Sequence, residues 1–229
     1  MDEPAPDEPA VFAPAHARYN APGRIVTLGA YLSTAQLLES AGALRVLERS
    51  EDEDGYRMGG AADLRRDMAW TKLIAALNQG RRWALRRLTA HLDDLLANDI
   101  AVAVVPAHDP FVMDFPVRLL AQAVASVEGK NRVDATECLV RHTKIRRIVW
   151  GGPSYRSLHR QTINVENAEL VRGRNVLLLD DVARSGASLR ACRELLFEAG
   201  AAHVQAVALG RVTAPGAAAQ ESPPHGTNR

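Results

Sequence analysis

The stretch that decides the fold of this chain is Asn175-Val-Leu-Leu-Leu-Asp-Asp-Val-Ala-Arg-Ser-Gly-Ala-Ser188. Its four apolar residues, 176–179, run directly into two adjacent carboxylates, Asp180 and Asp181. A short apolar run bounded by turn residues predicts a strand that is buried on both faces. Because unpartnered buried carboxylates are costly, we expect the acidic pair at the carboxyl end of the strand, in the crevice where open α/β sheets bind ligands.

A loop of small and hydroxyl residues follows the acidic pair and leads into a helical pattern. The loop consists of Ala183, Arg184, Ser185, Gly186, Ala187 and Ser188. Gly186 permits an unusual backbone turn, and Ser185 and Ser188 can cap the helix or donate hydroxyls to an anion. Backbone N–H groups around such a turn form an anion-binding concavity at the positive end of the helix dipole. The alternative interpretation is that the two aspartates only cap and solubilise the helix.

Composition is that of an ordinary globular protein. The 229 residues are 47% hydrophobic and 24% charged, which is enough for a sizeable core, and the net charge of +1 favours neither nucleic acid nor a membrane. Two cysteines, Cys138 and Cys192, form no CxxC pair and suggest neither a disulfide framework nor a zinc site. The acidic, proline-rich amino terminus is unlike a signal peptide, and no apolar stretch reaches the roughly 20 residues of a membrane span. We therefore expect a cytoplasmic location.

The chain divides into four segments by pattern. Residues 1–11 and 213–229 are predicted to be disordered tails, and residues 12–60 form an amino-terminal segment of unknown role, with a candidate strand at 24–31 and a candidate hairpin at 43–58. Residues 61–212 are predicted to form the main domain. In this domain, helical patterns begin at residues 63, 81 and 116. Strands are predicted from apolar runs at 100–105, 136–140, 176–179 and 202–209. Residues 141–166 show no periodic pattern. Such alternation predicts an α/β fold with a mostly parallel central sheet flanked by helices.

The segment 175–188 resembles the phosphoribosyl pyrophosphate (PRPP) signature of type I phosphoribosyltransferases, in which an apolar run and two acidic residues precede a small-residue loop around a glycine. The resemblance implies a type I phosphoribosyltransferase-like fold with a flexible lid. It also implies that Asp180 and Asp181 are catalytic residues that hold the ribose 2- and 3-hydroxyls and stabilise positive charge on the sugar. Residues 183–188 would wrap the 5-phosphate, although Arg184 stands where many members have threonine.

A second set of residues resembles the ComF-like (competence protein F) branch of that family. Thr71-Lys-Leu-Ile-Ala-Ala-Leu-Asn-Gln-Gly80 precedes an amphipathic helix and a strand ending in Val-Val-Pro106, and Arg160-Gln-Thr-Ile-Asn164 matches the Arg-x-x-x-Asn element before the signature strand. The similarity covers residues 61–212. The cysteine-rich zinc module found at the amino terminus of many ComF-like proteins is missing here, so contacts made through it are not carried over.

Two further elements acquire roles from this resemblance. Pro106-Ala-His-Asp109 ends a core strand at the sheet edge expected for Asp180, and the resemblance implies a pyrophosphate loop at Ala107 and His108; the alternative is an ordinary proline turn. The cation-rich segment 141–160 is interpreted as a mobile lid that carries cations onto a polyanionic substrate and excludes water. Its named lid residues are Arg146, Arg147 and Arg160. The alternative is a solvated loop.

These features together predict an enzyme of nucleotide metabolism that transfers the phosphoribosyl group of PRPP to a nitrogen nucleophile on a small-molecule acceptor, a base or an amine, and releases pyrophosphate. Mg²⁺ is expected to be carried by the substrate, with no direct protein ligand. A homodimer is among the expected assemblies, and no membrane partner is expected. The sequence leaves the acceptor, the biological pathway and the occurrence of turnover open.

The competing interpretation is a non-catalytic regulator that binds PRPP or a nucleotide, or a ComF-like DNA-uptake protein active in competence. In that case the lid and the arginines between 81 and 87 would bind single-stranded DNA. A response-regulator receiver is excluded because no aspartate follows Asp181 to accept a phosphoryl group. Neither G-x-G-x-x-G nor G-x-x-x-x-G-K-[ST] occurs, so a Rossmann or P-loop nucleotide site is unsupported.

Overall fold

The computed structural model describes residues 10–21, 23–42, 60–145 and 156–212. The predicted hairpin at 43–58 and the predicted tail at 213–229 lie outside these residues. Val11, at the end of the predicted amino-terminal tail, is fully buried, and its carbonyl accepts a hydrogen bond of 2.9 Å from the backbone N of Ala97. Val11 therefore belongs to the core.

Eight strands are described. They are β1 Ile25–Thr27, β2 Ala30–Tyr31, β3 Ala101–Val104, β4 Val133–Asp134, β5 Leu139–Arg141, β6 Ile163–Val165, β7 Asn175–Ala183 and β8 His203–Val212. Six of them form one sheet in the order β1-β8-β7-β3-β4, with β2 paired to β8 beyond β1, and every pairing in this sheet is parallel. Strands β5 and β6 form a separate antiparallel pair.

Helices cover both faces of the sheet. They are α1 at 34–42, α2 Gly60–Asn78, α3 Arg82–Leu95, α4 Pro116–Ala125, α5 Arg156–Thr162 and α6 Ala187–Glu198, with 3-10 turns at Pro14–Tyr19 and Ala168–Leu170. Because side chains alternate along a strand, the apolar run of β7 serves two cores. Leu177 and Leu179 pack in one cluster with α2, α3 and α4, whereas Val176 and Leu178 pack in the other with α6. The predicted α/β fold, with a mostly parallel sheet flanked by helices, is confirmed.

Two details of the predicted elements are wrong. The candidate strand at 24–31 is two short strands, because the chain bends at Leu28 and Gly29, where a Cβ on Gly29 would lie 2.4 Å from Cδ1 of Trp70. The candidate strand at 136–140 begins only at Leu139, and it pairs with β6 and not with the main sheet. The strand that pairs with β3 lies upstream of it, at Val133–Asp134.

Residues 141–166 contain more regular structure than their lack of sequence periodicity predicts. Their described part contains α5 and β6. Helix α5 has only seven residues and packs on α6, where Arg156 and Arg160 form ion pairs with Glu194. A helix this short depends on tertiary contacts, so its sequence carries little periodic signal.

The register of the sheet brings two functional segments together. Strands β3 and β7 are parallel neighbours with Val104 opposite Leu179, and the backbone N of Val105 donates a 3.0 Å hydrogen bond to the carbonyl of Leu179. The carboxyl ends of both strands therefore lie at the same edge of the sheet, where residues 106–108 and Asp180 line one cleft. In the described part of the chain, no helix combines the length and apolar character needed to traverse a bilayer.

Candidate functional site

A cleft of about 630 Å³ lies at the carboxyl edge of the sheet. Every predicted member of the acidic pair, the phosphate loop and the pyrophosphate turn lines it: Asp180, Asp181, Ala183, Arg184, Ser185, Gly186, Ala187, Ser188, Ala107 and His108. The structure thus places two segments that are distant in sequence, the turn at 106–108 and the stretch 180–188, around one space, as expected for the carboxyl ends of neighbouring parallel strands.

The two carboxylates are held by different donors. One oxygen of Asp180 accepts the backbone N–H of Asp181 at 3.0 Å, and the other accepts the hydroxyl of Ser188 at 3.3 Å. Asp181 accepts the backbone N–H of Val182 at 2.7 Å and the side-chain amide of Asn78 at 3.0 Å. These contacts orient both acids within the cleft wall.

Asp180 has an unusual affinity for protons. Burial raises its pKa well above the ordinary 3.8, and the neighbouring charge of Asp181 raises it further, against a smaller lowering by hydrogen bonds from the Asp181 amide and Ser188. A carboxyl in this state gains most from a ligand that brings positive charge or hydroxyl donors to it. Hydroxyls and a cation are therefore the chemistry that this end of the cleft suits.

The loop after β7 turns sharply at Gly186. This residue is the N-cap of α6 and has φ +71°, and a Cβ there would lie 2.3 Å from Cδ1 of Ile25. The expected serine capping is weak, since the backbone N of Ala187 reaches Ser185 Oγ at 3.4 Å. Arg190 donates to the carbonyl of Ser185, so a guanidinium stabilises the loop from the first turn of α6. The loop presents backbone N–H groups at a positive helix end.

The turn after β3 is fixed from behind by the segment that follows β5. Arg141 Nε donates a 2.7 Å hydrogen bond to the carbonyl of Ala107, and the backbone N of Ile145 donates a 2.9 Å hydrogen bond to the carbonyl of His108. Both acceptors are main-chain oxygens, so these contacts hold the backbone path of the turn itself.

Sequence reasoning missed several residues of the cleft. Asn78, Arg141 and His159 line it, although only the cation-rich character of 141–160 gave any signal for the last two. Burial, and then the charge of Arg141, lower the pKa of His159 to about 4, so its imidazole is neutral near pH 7. No periodic or local pattern marks Asn78, which stands at the last position of α2.

The predicted lid residues lie in different places. Arg146 and Arg147 fall outside the described residues, so their role stays a prediction. Arg160 lies in α5 and pairs with Glu194 at 3.2 Å and Glu198 at 2.7 Å. The described lining of the cleft includes its neighbour His159 but not Arg160 itself.

The described residues contain no group of three or more His, Cys, Asp or Glu side chains that could hold a metal ion. Asp180 and Asp181 offer carboxylate oxygens, which are the ligands that Mg²⁺ prefers, and Mg²⁺ commonly completes its coordination with substrate phosphates and water. The acidic pair therefore fits Mg²⁺ only in company with a ligand that supplies further oxygens.

The structure defines an α/β protein with a cleft at the carboxyl edge of a mostly parallel sheet. No protein-family model and no curated protein matches the sequence. Among solved structures, the chain is similar to the hypoxanthine phosphoribosyl transferase of Trypanosoma cruzi, with 12% sequence identity and a TM-score of 0.33 over 61% of this chain and 65% of that one. The chain thus spans slightly less than two thirds of that protein. The likeness concerns the fold alone.

Proposed function

We propose that this chain is a phosphoribosyltransferase that uses PRPP and Mg²⁺, transfers the phosphoribosyl group to a nitrogen nucleophile on a small acceptor, and releases pyrophosphate. The observation that supports it is the meeting of the acidic pair, the Gly186 loop and the turn after β3 around one cleft. PRPP is a sugar with a phosphate at one end and a pyrophosphate at the other. The Gly186 loop suits the phosphate, the acidic pair suits the sugar hydroxyls, and the turn after β3 suits the pyrophosphate.

The 5-phosphate is assigned to the loop 183–188. Backbone N–H groups at the start of α6 and the positive end of its dipole suit a phosphate. Gly186 allows the positive φ of +71° that turns the chain into α6, and Cδ1 of Ile25 occupies the position that a Cβ would take. Arg184 is exposed and adds a cation beside this position.

The ribose is assigned to the acidic pair. Asp180 and Asp181 accept hydrogen bonds from the 2- and 3-hydroxyls, and their charge faces the sugar carbon from which pyrophosphate departs. As the C1–O bond breaks, its electron pair leaves with pyrophosphate and positive charge develops on the sugar. Fixed carboxylates stabilise that charge most strongly in the transition state.

The acceptor nitrogen then forms the new bond to C1 and loses its proton. Mg²⁺ carried by the substrate would supply positive charge beside the pyrophosphate oxygens, which favours their release. This chain contributes by positioning the reactants and by fixed charges, and the reaction requires no covalent nucleophile.

The test is replacement of Asp180 and Asp181 together by asparagine. We expect the wild-type chain to bind PRPP with Mg²⁺ in calorimetry and to release pyrophosphate with a suitable base or amine, and we expect the double variant to bind at least about 10-fold more weakly, because two charge-assisted hydrogen-bond acceptors are lost. The matched control is Asp63→Asn with Asp67→Asn on α2, which makes the same charge change away from the cleft. Equal PRPP affinity in the wild type and the site variant would refute the assignment.

A second candidate function rests on α3. Four exposed arginines, Arg81, Arg82, Arg86 and Arg87, flank Trp83 in the sequence, and Trp83 is 52% exposed. Cations next to an aromatic platform are typical of single-stranded nucleic-acid binding. Salt-dependent binding of an oligonucleotide, lost in Trp83→Ala and accompanied by no pyrophosphate release, would favour this candidate over the enzyme.

A further inference from the structure

Three arginines in the described part of the chain are buried: Arg118, Arg132 and Arg141. The first two have carboxylate partners, since Arg118 pairs with Glu137 at 3.0 Å and Arg132 pairs with Asp93 at 2.8 Å. No described carboxylate forms an ion pair with Arg141. A buried charge without an opposite charge is costly, so this difference calls for a functional explanation.

The hydrogen-bond partners of Arg141 among the described residues are neutral groups. Beyond Ala107, its guanidinium donates to the hydroxyl of Thr162 at 2.6 Å and approaches Nδ1 of His159 at 3.4 Å. His159 brings no negative charge, and the adjoining segment 146–155 contains no aspartate or glutamate. An arginine side chain does not deprotonate in proteins, so the positive charge remains.

The position of this charge is specific. Arg141 is 4% exposed and lines the main cleft, and it also lines a second cavity of about 200 Å³ that shares Pro106 and Ala107 with that cleft. The side chain therefore lies directly behind the turn that ends β3. A cation at this depth that has no carboxylate partner among the described residues acts through a medium of low dielectric, where it attracts an anion more strongly than a surface cation does.

The hydrogen bond to Ala107 also orients the turn. Because a trans peptide is planar, the C=O of Ala107 and the N–H of His108 point in opposite directions. Since the C=O is directed to Arg141, the N–H is directed away from it. Arg141 thus sets the orientation of the peptide between Ala107 and His108.

We propose that Arg141 is the buried cation and positioning residue of the pyrophosphate subsite: it supplies the fixed positive charge for the polyanionic leaving group and holds the Ala107 peptide in the orientation that receives it. This inference rests on the proposed function. It assigns the pyrophosphate end of the ligand to Arg141 and leaves the 5-phosphate end to the loop after β7.

The experiment compares three probes in calorimetry with Mg²⁺: PRPP, inorganic pyrophosphate and ribose 5-phosphate. In Arg141→Met we expect PRPP and pyrophosphate to bind about 10- to 100-fold more weakly, as is typical when a buried charge partner is lost, while ribose 5-phosphate binds within about twofold of wild type. Arg141→Lys keeps the positive charge but loses the planar, two-pronged set of guanidinium donors. Its affinities for PRPP and pyrophosphate should therefore lie between those of the wild type and Arg141→Met. A role in folding alone would not produce this selectivity.

The matched control is Arg132→Met, a buried arginine outside the cleft lining, which should leave the ratio of PRPP to ribose 5-phosphate affinity unchanged. If Arg141→Met does not fold, Thr162→Val removes one partner of the guanidinium and should reduce pyrophosphate affinity selectively, though by less. Equal losses for all three probes, or no loss, in the folded variant would overturn the inference. Wild-type protein that binds neither PRPP nor ribose 5-phosphate would instead overturn the proposed function and this inference with it.

Discussion

The side-chain amide of Asn78 donates a 3.0 Å hydrogen bond to the carboxylate of Asp181, which joins the last residue of α2 to the acidic pair near the carboxyl end of β7. The two residues are 103 positions apart in the chain. A helix that otherwise packs in the core therefore also orients one of the two proposed catalytic acids.

Replacement of Asn78 tests this contact. Asn78→Ala should weaken PRPP binding about 3- to 10-fold, because a hydrogen bond to a charged group contributes on the order of 1 kcal/mol, while the free energy of unfolding changes by less than about 0.5 kcal/mol at this exposed site. Asn78→Asp should weaken binding further because it places a third negative charge beside the acidic pair. Calorimetry and thermal melts measure the two effects. Gln79→Ala, at the exposed neighbouring position, is the control and should change neither.

The raised pKa of Asp180 predicts how stability depends on pH. Between the ordinary value of 3.8 and the raised value, the folded state binds more protons than the unfolded state, so the free energy of unfolding falls as pH rises through that window and stays reduced above it. Asp180→Asn should therefore stabilise the protein at about pH 8 and have little effect below about pH 3.5, at about 1.4 kcal/mol for each unit of pKa shift that it removes. Urea titrations across this range measure it, and a variant that is less stable than wild type at the higher pH would contradict the assignment.

The same carboxyl predicts proton release on ligand binding. A ligand that brings Mg²⁺ and hydroxyls to Asp180 favours its charged form, so PRPP binding should release protons and weaken as the pH falls. Calorimetry in two buffers with different ionisation enthalpies counts the released protons. The number of released protons should fall in Asp180→Asn. It should remain unchanged in the α2 control, in which Asp63 and Asp67 are replaced by asparagine. Equal numbers in the wild type and Asp180→Asn would exclude Asp180 as the source of the protons.

Gly186 and Gly80 form a matched pair for testing the phosphate loop. Both have positive φ, +71° and +72°, so alanine at either position should cost about 1–2 kcal/mol of backbone strain. Gly186→Ala should cost more because its Cβ meets Cδ1 of Ile25, whereas the Cβ at Gly80 has no described neighbour within 4 Å. Adding Ile25→Val removes the clashing atom and should recover part of the difference in thermal melts. Only the change at Gly186 should weaken the binding of ribose 5-phosphate.

Arg160→Ala distinguishes a lid cation from a helix contact. Its ion pairs with Glu194 and Glu198 are partly exposed, so their loss should cost about 0–1 kcal/mol of stability. Since Arg160 does not line the described cleft, we expect PRPP affinity within about twofold of wild type. The lid hypothesis expects a larger loss of affinity in Arg146→Ala with Arg147→Ala. A tenfold loss of PRPP affinity in Arg160→Ala, at unchanged stability, would support a role for Arg160 in the lid.

Prediction from sequence succeeded where the signal is local. The apolar run before Asp180 identifies β7, and the glycine and small residues after it identify the turn into α6. The convergence of Pro106 and Asp180 was also predictable, because the carboxyl ends of neighbouring parallel strands lie at one edge of a sheet. These inferences need only the pattern of each segment and a general rule of α/β folds.

Prediction failed where structure depends on distant partners. Helix α5 is short and polar and is held by ion pairs to α6, so the sequence has no periodic apolar pattern that predicts it. In the sequence, Arg141 is one of many cations in a stretch whose pattern favours a mobile lid. Its burial follows from the antiparallel pairing of β5 with β6, which places it opposite Ile163, and a strand of three residues carries too little pattern to predict that pairing.

The amino-acid sequence by itself determined which strand ends in paired acids and which turn presents backbone amides to an anion, because both properties arise from neighbouring residues. Tertiary structure alone decided that Asn78 contacts Asp181 and that Arg141 lies without a described carboxylate partner behind Ala107. Those contacts depend on how helices and strands pack across long separations in the chain, and packing is settled by the whole core at once.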